Sequence, residues 1–295
     1  MRLRIRGLRA LELARASLKT RHYICLLVVV SLLSPGGEAQ KQKVPEGYSL
    51  VWSDEFNGKD GSLPDASKWT YDLGGNGWGN HELEYYTNRS VNARIEDGKL
   101  VITARQEAFT GPDGTKFNYT SARLKTQGLF SQAYGRFEAR IKLPAGQGMW
   151  PAFWMLGENI GSVDWPKCGE IDIMENVGKE PGINHGSLHG PSFMGSTSDL
   201  TATITLPAGQ KLSGDFHVYA VEWEPAVVRF YLDSNLYATF PSAQWPAGGT
   251  WVFDHRFFLI LNVAVGGDWP GSPDETTVFP QTMLVDYVRV YKGKR

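Results

Sequence analysis

Three acids lie within six residues of an otherwise apolar run, Gly169-Glu170-Ile171-Asp172-Ile173-Met174-Glu175-Asn176. In a strand, residues two apart share a face, so Glu170 and Asp172 point one way while Ile171 and Ile173 point to the core. Glu175 is five from Glu170, an odd offset that would drive its carboxylate into the core at high cost. A one-residue bulge at Met174 returns it to the acidic face. Two carboxyls flanking a bond are what glycoside hydrolysis requires: close together they give retention through a covalent intermediate, further apart inversion. With the bulge discounted, Glu170 and Glu175 are about four strand steps of ~3.3 Å apart. Their side chains must then lean together for the retaining geometry. Asp172, between them, can orient one carboxyl and raise its proton affinity by like-charge repulsion. The same spacing also suits a solvated acidic edge strand or a calcium site.

The surroundings favour a sugar. Trp150 and Trp154, four apart in Met149-Trp150-Pro151-Ala152-Phe153-Trp154-Met155, share one strand face. Indoles stack on the apolar faces of sugar rings, although both tryptophans could instead be core. The chain holds 10 Trp, 12 Tyr and 14 Phe, more than one core needs. Asn80 and Glu84, in Asn80-His81-Glu82-Leu83-Glu84-Tyr85-Tyr86, could line one end of a groove. Arg123 and His189 are further polar candidates, and Asn262 fits a buried amide equally well.

Strands must position these groups. Residues 134–143 alternate strictly: Gly135, Phe137, Ala139, Ile141 and Leu143 on one face, Tyr134, Arg136, Glu138, Arg140 and Lys142 on the other. Similar runs occupy 100–105, 217–224, 227–233, 257–265 and 283–292, separated by Gly, Pro, Asn and Asp clusters. No helical stretch of ten or more residues, internal repeat or linker is evident. Many strands at short spacing predict an all-β sandwich, best a two-sheet jelly roll whose curved sheet presents a groove.

Residues 1–39 differ from the rest. Seven basic residues precede an apolar stretch at 24–33, and Gly37-Glu38-Ala39 offers small residues for cleavage. That segment predicts a signal peptide, with a single-span anchor as the alternative. Its removal takes the net charge from −1 to −6 and leaves Cys168 alone of 2 cysteines. An acidic chain argues against a nucleic-acid partner, and no run of eighteen apolar residues predicts a multi-span membrane protein. The expected product is secreted, extracellular or periplasmic, free of the membrane after cleavage, and monomeric.

Together, Glu170–Glu175 with its inserted Met and Trp150-Pro151-Ala152-Phe153-Trp154-Met155 resemble family 16 glycoside hydrolases, most of all the laminarinase branch. The resemblance runs from Val51-Trp52-Ser53-Asp54-Glu55-Phe56 to Val285-Asp286-Tyr287-Val288-Arg289-Val290-Tyr291 and makes 45–293 the catalytic domain. It implies a curved β-jelly-roll sandwich of the concanavalin A-like kind and a retaining endo-β-1,3-glucanase. Glu170 would be the nucleophile, Glu175 the acid and then base, and Asp172 the orienting acid. Trp150 and Trp154 would stack on glucosyl units, and His189, Asn80, Glu84 and Arg123 would help bind the β-glucan. The resemblance also implies no catalytic cofactor but a structural calcium ion on Glu55, the Gly98 carbonyl and Asp286, for which a simple ion pair is the alternative. Mixed-linkage glucanase, agarase, carrageenase and a non-catalytic carbohydrate-binding jelly roll stay open.

Overall fold

The computed structural model describes residues 44–192 and 197–294; the expected signal peptide at 1–39 lies outside them. In chain order the strands are β1 (Tyr48–Asp54), β2 (Thr70–Asp72), β3 (Glu84–Tyr86), β4 (Ala93–Glu96), β5 (Lys99–Thr110), β6 (Lys116–Ser121), β7 (Arg123–Lys125), β8 (Gly135–Lys142) and β9 (Met149–Gly157). They continue as β10 (Glu170–Glu175), β11 (Ile183–Pro191), β12 (Thr197–Thr205), β13 (His217–Glu224), β14 (Val227–Leu232), β15 (Asn235–Pro241), β16 (Phe257–Val265) and β17 (Gln281–Gly293). The only α-helix among the described residues is the four-residue turn Ile160–Val163.

The strands form two sheets. The ten-stranded sheet runs β15-β14-β13-β8-β17-β5-β6-β3, with β1 added on β17 and β4 on β5. The seven-stranded sheet runs β12-β11-β10-β9-β16-β7-β2. Pairing is antiparallel except between β3 and β6. Phe137, Val221 and Val288 of the larger sheet and Phe153, Ile171 and Leu259 of the smaller belong to one buried cluster, which makes the molecule a two-sheet β-jelly roll. Where only one face is apolar, alternation read the strand correctly: on β8, Gly135, Phe137, Ala139 and Ile141 are buried, while Arg136 and Arg140 are partly exposed.

All nine residues of β16 are buried. One face meets the main core. On the other, Phe258 and Ile260 form a second small cluster with Leu156 and Cys168, flanked by Trp154, Ile160 and Val163. The Cys168 thiol is therefore core, and burial pushes its pKa up to about 11. This strand is packed on both sides and pairs with β9, the strand beside the acidic one, which gives the site a rigid floor.

Candidate active site

The acidic strand β10 lies between β9 and β11 in the middle of the smaller sheet. Gly169, at φ +74, delivers the chain into it; a Cβ there would approach the Phe257 ring to 2.8 Å. Ile171, Ile173 and Met174 are fully buried. Against β9 the register steps between Asp172 and Met174, and against β11 between Asp172 and Glu175. That step is the expected bulge. It returns Glu175 to the face of Glu170 and Asp172, and all three line one cleft of about 690 Å³.

Each carboxylate has a defined partner. Trp150 Nε1 donates to Glu175 Oε1 at 2.9 Å, and Trp165 Nε1 donates to Glu170 Oε2 at 2.7 Å. His189 stands between two acids: Nε2 is 2.9 Å from Asp172 Oδ2, and Nδ1 is 2.7 Å from Asp199 Oδ1. With a carboxylate on each ring nitrogen, both nitrogens act as donors, which is the imidazolium form. Burial works against that charge, but Asp172, Glu170 and Asp199 outweigh it and hold the pKa at about 11. The donor atoms of Glu170, Asp172 and His189 fall within 4.8 Å of one another, with the imidazolium as the compensating cation.

Burial, then the neighbouring Asp172 charge, pushes Glu175 up to about 8, so it keeps its proton at neutral pH. Burial and Asp172 also raise Glu170. Glu170, however, sits directly across from His189, and among the influences that favour its anion the imidazolium is the largest. Glu175 thus holds its proton, and Glu170 stands opposite a positive charge, the placement that a two-carboxyl mechanism uses.

Most of the expected binding residues converge here. Trp150, Trp154, His189, Asn80 and Arg123 line the cleft. Trp154 is half-buried, and its Nε1 donates to Asn262 Oδ1 at 2.7 Å. Arg123 lies between the rings of Trp78 and Trp154, 4.7 Å from each, and its Nε is 2.9 Å from Asp72. Asn262 is the amide that bridges Trp154 to the Tyr86 hydroxyl.

Glu84 is the correction. It is fully buried and accepts from the Val265 backbone N–H at 2.6 Å, away from the cleft. Glu82 lines the cleft instead. Strand parity would put the two on one face, but β3 begins only at Glu84, and residues 80–83 turn through His81 at φ +56. Sequence reasoning also missed Trp78, Trp165, Asp199, His185 and Trp269. Asp199 is the cross-strand neighbour of His189 on β12, visible only once the strands are paired. Trp165 stood five residues before Glu170, in a segment whose backbone gives no periodic signal.

At the positions considered for calcium, both acidic side chains are already paired with arginine. Glu55 takes a bidentate bond from Arg289 at 2.9 and 2.7 Å. Asp286 Oδ2 accepts from Arg140 at 2.8 Å. Gly98, at φ +66, lies in the turn joining β4 and β5. With both carboxylates neutralised by arginine, these side chains follow the ion-pair alternative and do not fit a cation.

The glycosyl hydrolases family 16 description matches residues 80–289. This chain belongs to family 16. It is 43 % identical over 296 residues to a β-glucanase of Rhodothermus marinus, covering 96 % of this chain and 97 % of the relative. The laminarinase catalytic domain of Thermotoga maritima superposes with a TM-score of 0.77 at 48 % identity, over 85 % of this chain and all of the other. The endo-β-1,3-glucanase of Pyrococcus furiosus gives 0.78 at 50 % identity, over 83 % and 95 %. As a family 16 member the chain is a glycoside hydrolase, and Glu170, Asp172 and Glu175 occupy the centre of its cleft.

Proposed function

We propose that the protein is an endo-acting hydrolase of β-1,3-glucan of the laminarin type, working with retention of configuration. The observation that carries this reading is the bulge of β10, which brings Glu170 and Glu175 onto one face with Asp172 between them and His189 across from Glu170. Glu170 attacks the anomeric carbon while Glu175 gives its proton to the glycosidic oxygen. The carbon–oxygen bond breaks, the shortened chain leaves, and a glycosyl ester on Glu170 remains. Glu175, now a base, takes a proton from water; the hydroxide attacks the same carbon and Glu170 departs as carboxylate. Burial, with Asp172 beside it, keeps the proton on Glu175 between turnovers.

Substrate rings stack on the free faces of Trp150 and Trp154, whose N–H edges are fixed by Glu175 and Asn262. The Rhodothermus, Thermotoga and Pyrococcus relatives support a β-glucan as the polymer. The basic-then-apolar character of residues 1–39 supports export to the periplasm or medium, where such a polymer is met, by a monomeric enzyme. Incubation with laminarin, lichenan, agarose and carrageenan, with the products sized, tests the polymer. Laminarin should yield short oligosaccharides from the earliest time points. Cleavage of agarose or carrageenan alone would overturn the glucan assignment. NMR of the first product should show the β-anomer; an α-anomer would remove Glu170 as nucleophile.

A further inference from the structure

The glucanase reading leaves Glu84 without a role. Its Oε2 accepts from Val265 N–H, while its Oε1 is enclosed and meets no donor among the described residues. Its neighbour is another acid, Glu82. Burial, reinforced by the Glu82 charge, pushes the Glu84 carboxyl well above the usual range. Two adjacent carboxyls ionise one at a time, and the more buried one keeps the proton. Glu84 is then a neutral acid whose hydroxyl donates to Glu82.

Glu82 is held from other directions as well. Its Oε1 accepts from Asn80 Nδ2 at 3.2 Å, and its Oε2 accepts from the Tyr86 hydroxyl at 3.0 Å. That hydroxyl accepts from Asn262 Nδ2 at 3.1 Å, and Asn262 Oδ1 accepts from Trp154. A continuous hydrogen-bonded chain thus runs from the buried acid to the indole beside the catalytic strand. On this flank Arg123 and Lys125 share the Asp72 carboxylate, and the rings of Trp78 and Trp154 each lie 4.7 Å from the Arg123 guanidinium carbon.

We propose that Glu82, held at the cleft wall by Asn80 and Tyr86, is a specificity residue that binds hydroxyls of uncharged sugar units and turns away units bearing sulfate or carboxylate. This rests on the glucanase reading. A carboxylate only accepts hydrogen bonds, so it selects hydroxyl donors. A sulfate ester offers it only acceptors and a like charge.

The test uses laminarin, a lightly sulfated laminarin and a methylated laminarin of equal substitution, so that bulk is matched and only charge differs. Wild type should cleave the sulfated polymer with a kcat/KM about tenfold below the methylated one. Glu82→Gln should narrow that gap about fivefold and raise KM for laminarin by roughly five- to tenfold, with kcat within about twofold. Glu84→Gln, whose amide can donate to Glu82 and accept from Val265, should keep the wild-type gap and KM. Glu84→Met should raise KM as Glu82→Gln does. An unchanged gap in Glu82→Gln overturns the proposal even if Glu84→Met fails to fold. If wild type cleaves neither laminarin nor its methylated form, the glucanase reading itself falls.

Discussion

Both sheets carry acids on the face turned away from the core, and they treat them in opposite ways. On the ten-stranded sheet, Arg136 sits 2.8 Å from Glu138 and 3.1 Å from Glu222. Tyr291 and Tyr231 donate to the same two carboxylates at 3.1 and 2.7 Å. Glu138 is only 3 % exposed, and a cation faces it. On the seven-stranded sheet three acids share one imidazolium, and Glu175 answers by holding its proton up to about 8. The same residue type is a structural tie where its charge is matched and a reagent where it is not.

The largest effect should come from the unmatched acids. Glu170→Gln and Glu175→Gln should each lower kcat by about a thousandfold or more while oligosaccharide binding survives in calorimetry. Retained hydrolysis in either variant would erase the distinction between the two sheets. On the matched side, Arg136→Met leaves Glu138 buried without its cation. It should cost about 3–5 kcal/mol in denaturant unfolding, with activity per folded molecule unchanged.

Stability against pH sharpens the contrast. The folded-state pKa of Glu175 lies above its ordinary 4.5, so the folded state binds the extra proton. Stability then falls as pH rises from about 4.5 through about 8. Glu175→Gln should lack that decline and, relative to wild type, gain roughly 1–2 kcal/mol between pH 5 and 9, seen as a shift of about 2–8 °C in melting temperature.

Asp199→Asn should act more weakly, at about 0.5–1 kcal/mol, because Asp199 is half-exposed. His189 is raised in the folded state, so this contribution is full below its ordinary pKa and is lost as pH rises through about 11. Melting curves of wild type and variant should therefore differ by a similar amount at pH 6 and pH 9, both below that folded-state value. The smallest effect is expected at Glu55 and Asp286. With Arg289 and Arg140 already on them, chelator should leave the melting temperature unchanged. A clear drop would show that a cation displaces those arginines.

Much of this was legible from the residues. The 217–224 and 257–265 strands have the bounds expected of them, because short β-runs end at glycine and proline clusters. The need for a bulge followed from an odd spacing between acids that could not all be buried. What stayed hidden had no local signature. The sequence pointed to Glu84 at the groove, but residues 82 and 83 precede β3, and it is Glu82 that reaches the cleft while Glu84 is buried. Trp154 looked like a free sugar platform, but one of its faces covers Arg123 and its N–H is tied to Asn262.

By itself, the sequence determined the face on which each strand residue lies, and hence that three acids and two tryptophans meet on one sheet. Period-two geometry is a property of a single strand and needs no partner. Only the tertiary structure decided which charges are neutralised. Asp199 reaches His189, Arg136 reaches Glu222 and Asn262 reaches Trp154 across 10, 86 and 108 residues of chain. Such pairings depend on strand order and register, which sheet closure fixes. The protonation states that make Glu175 an acid and Glu84 a buried donor follow from the burial and partners that closure creates.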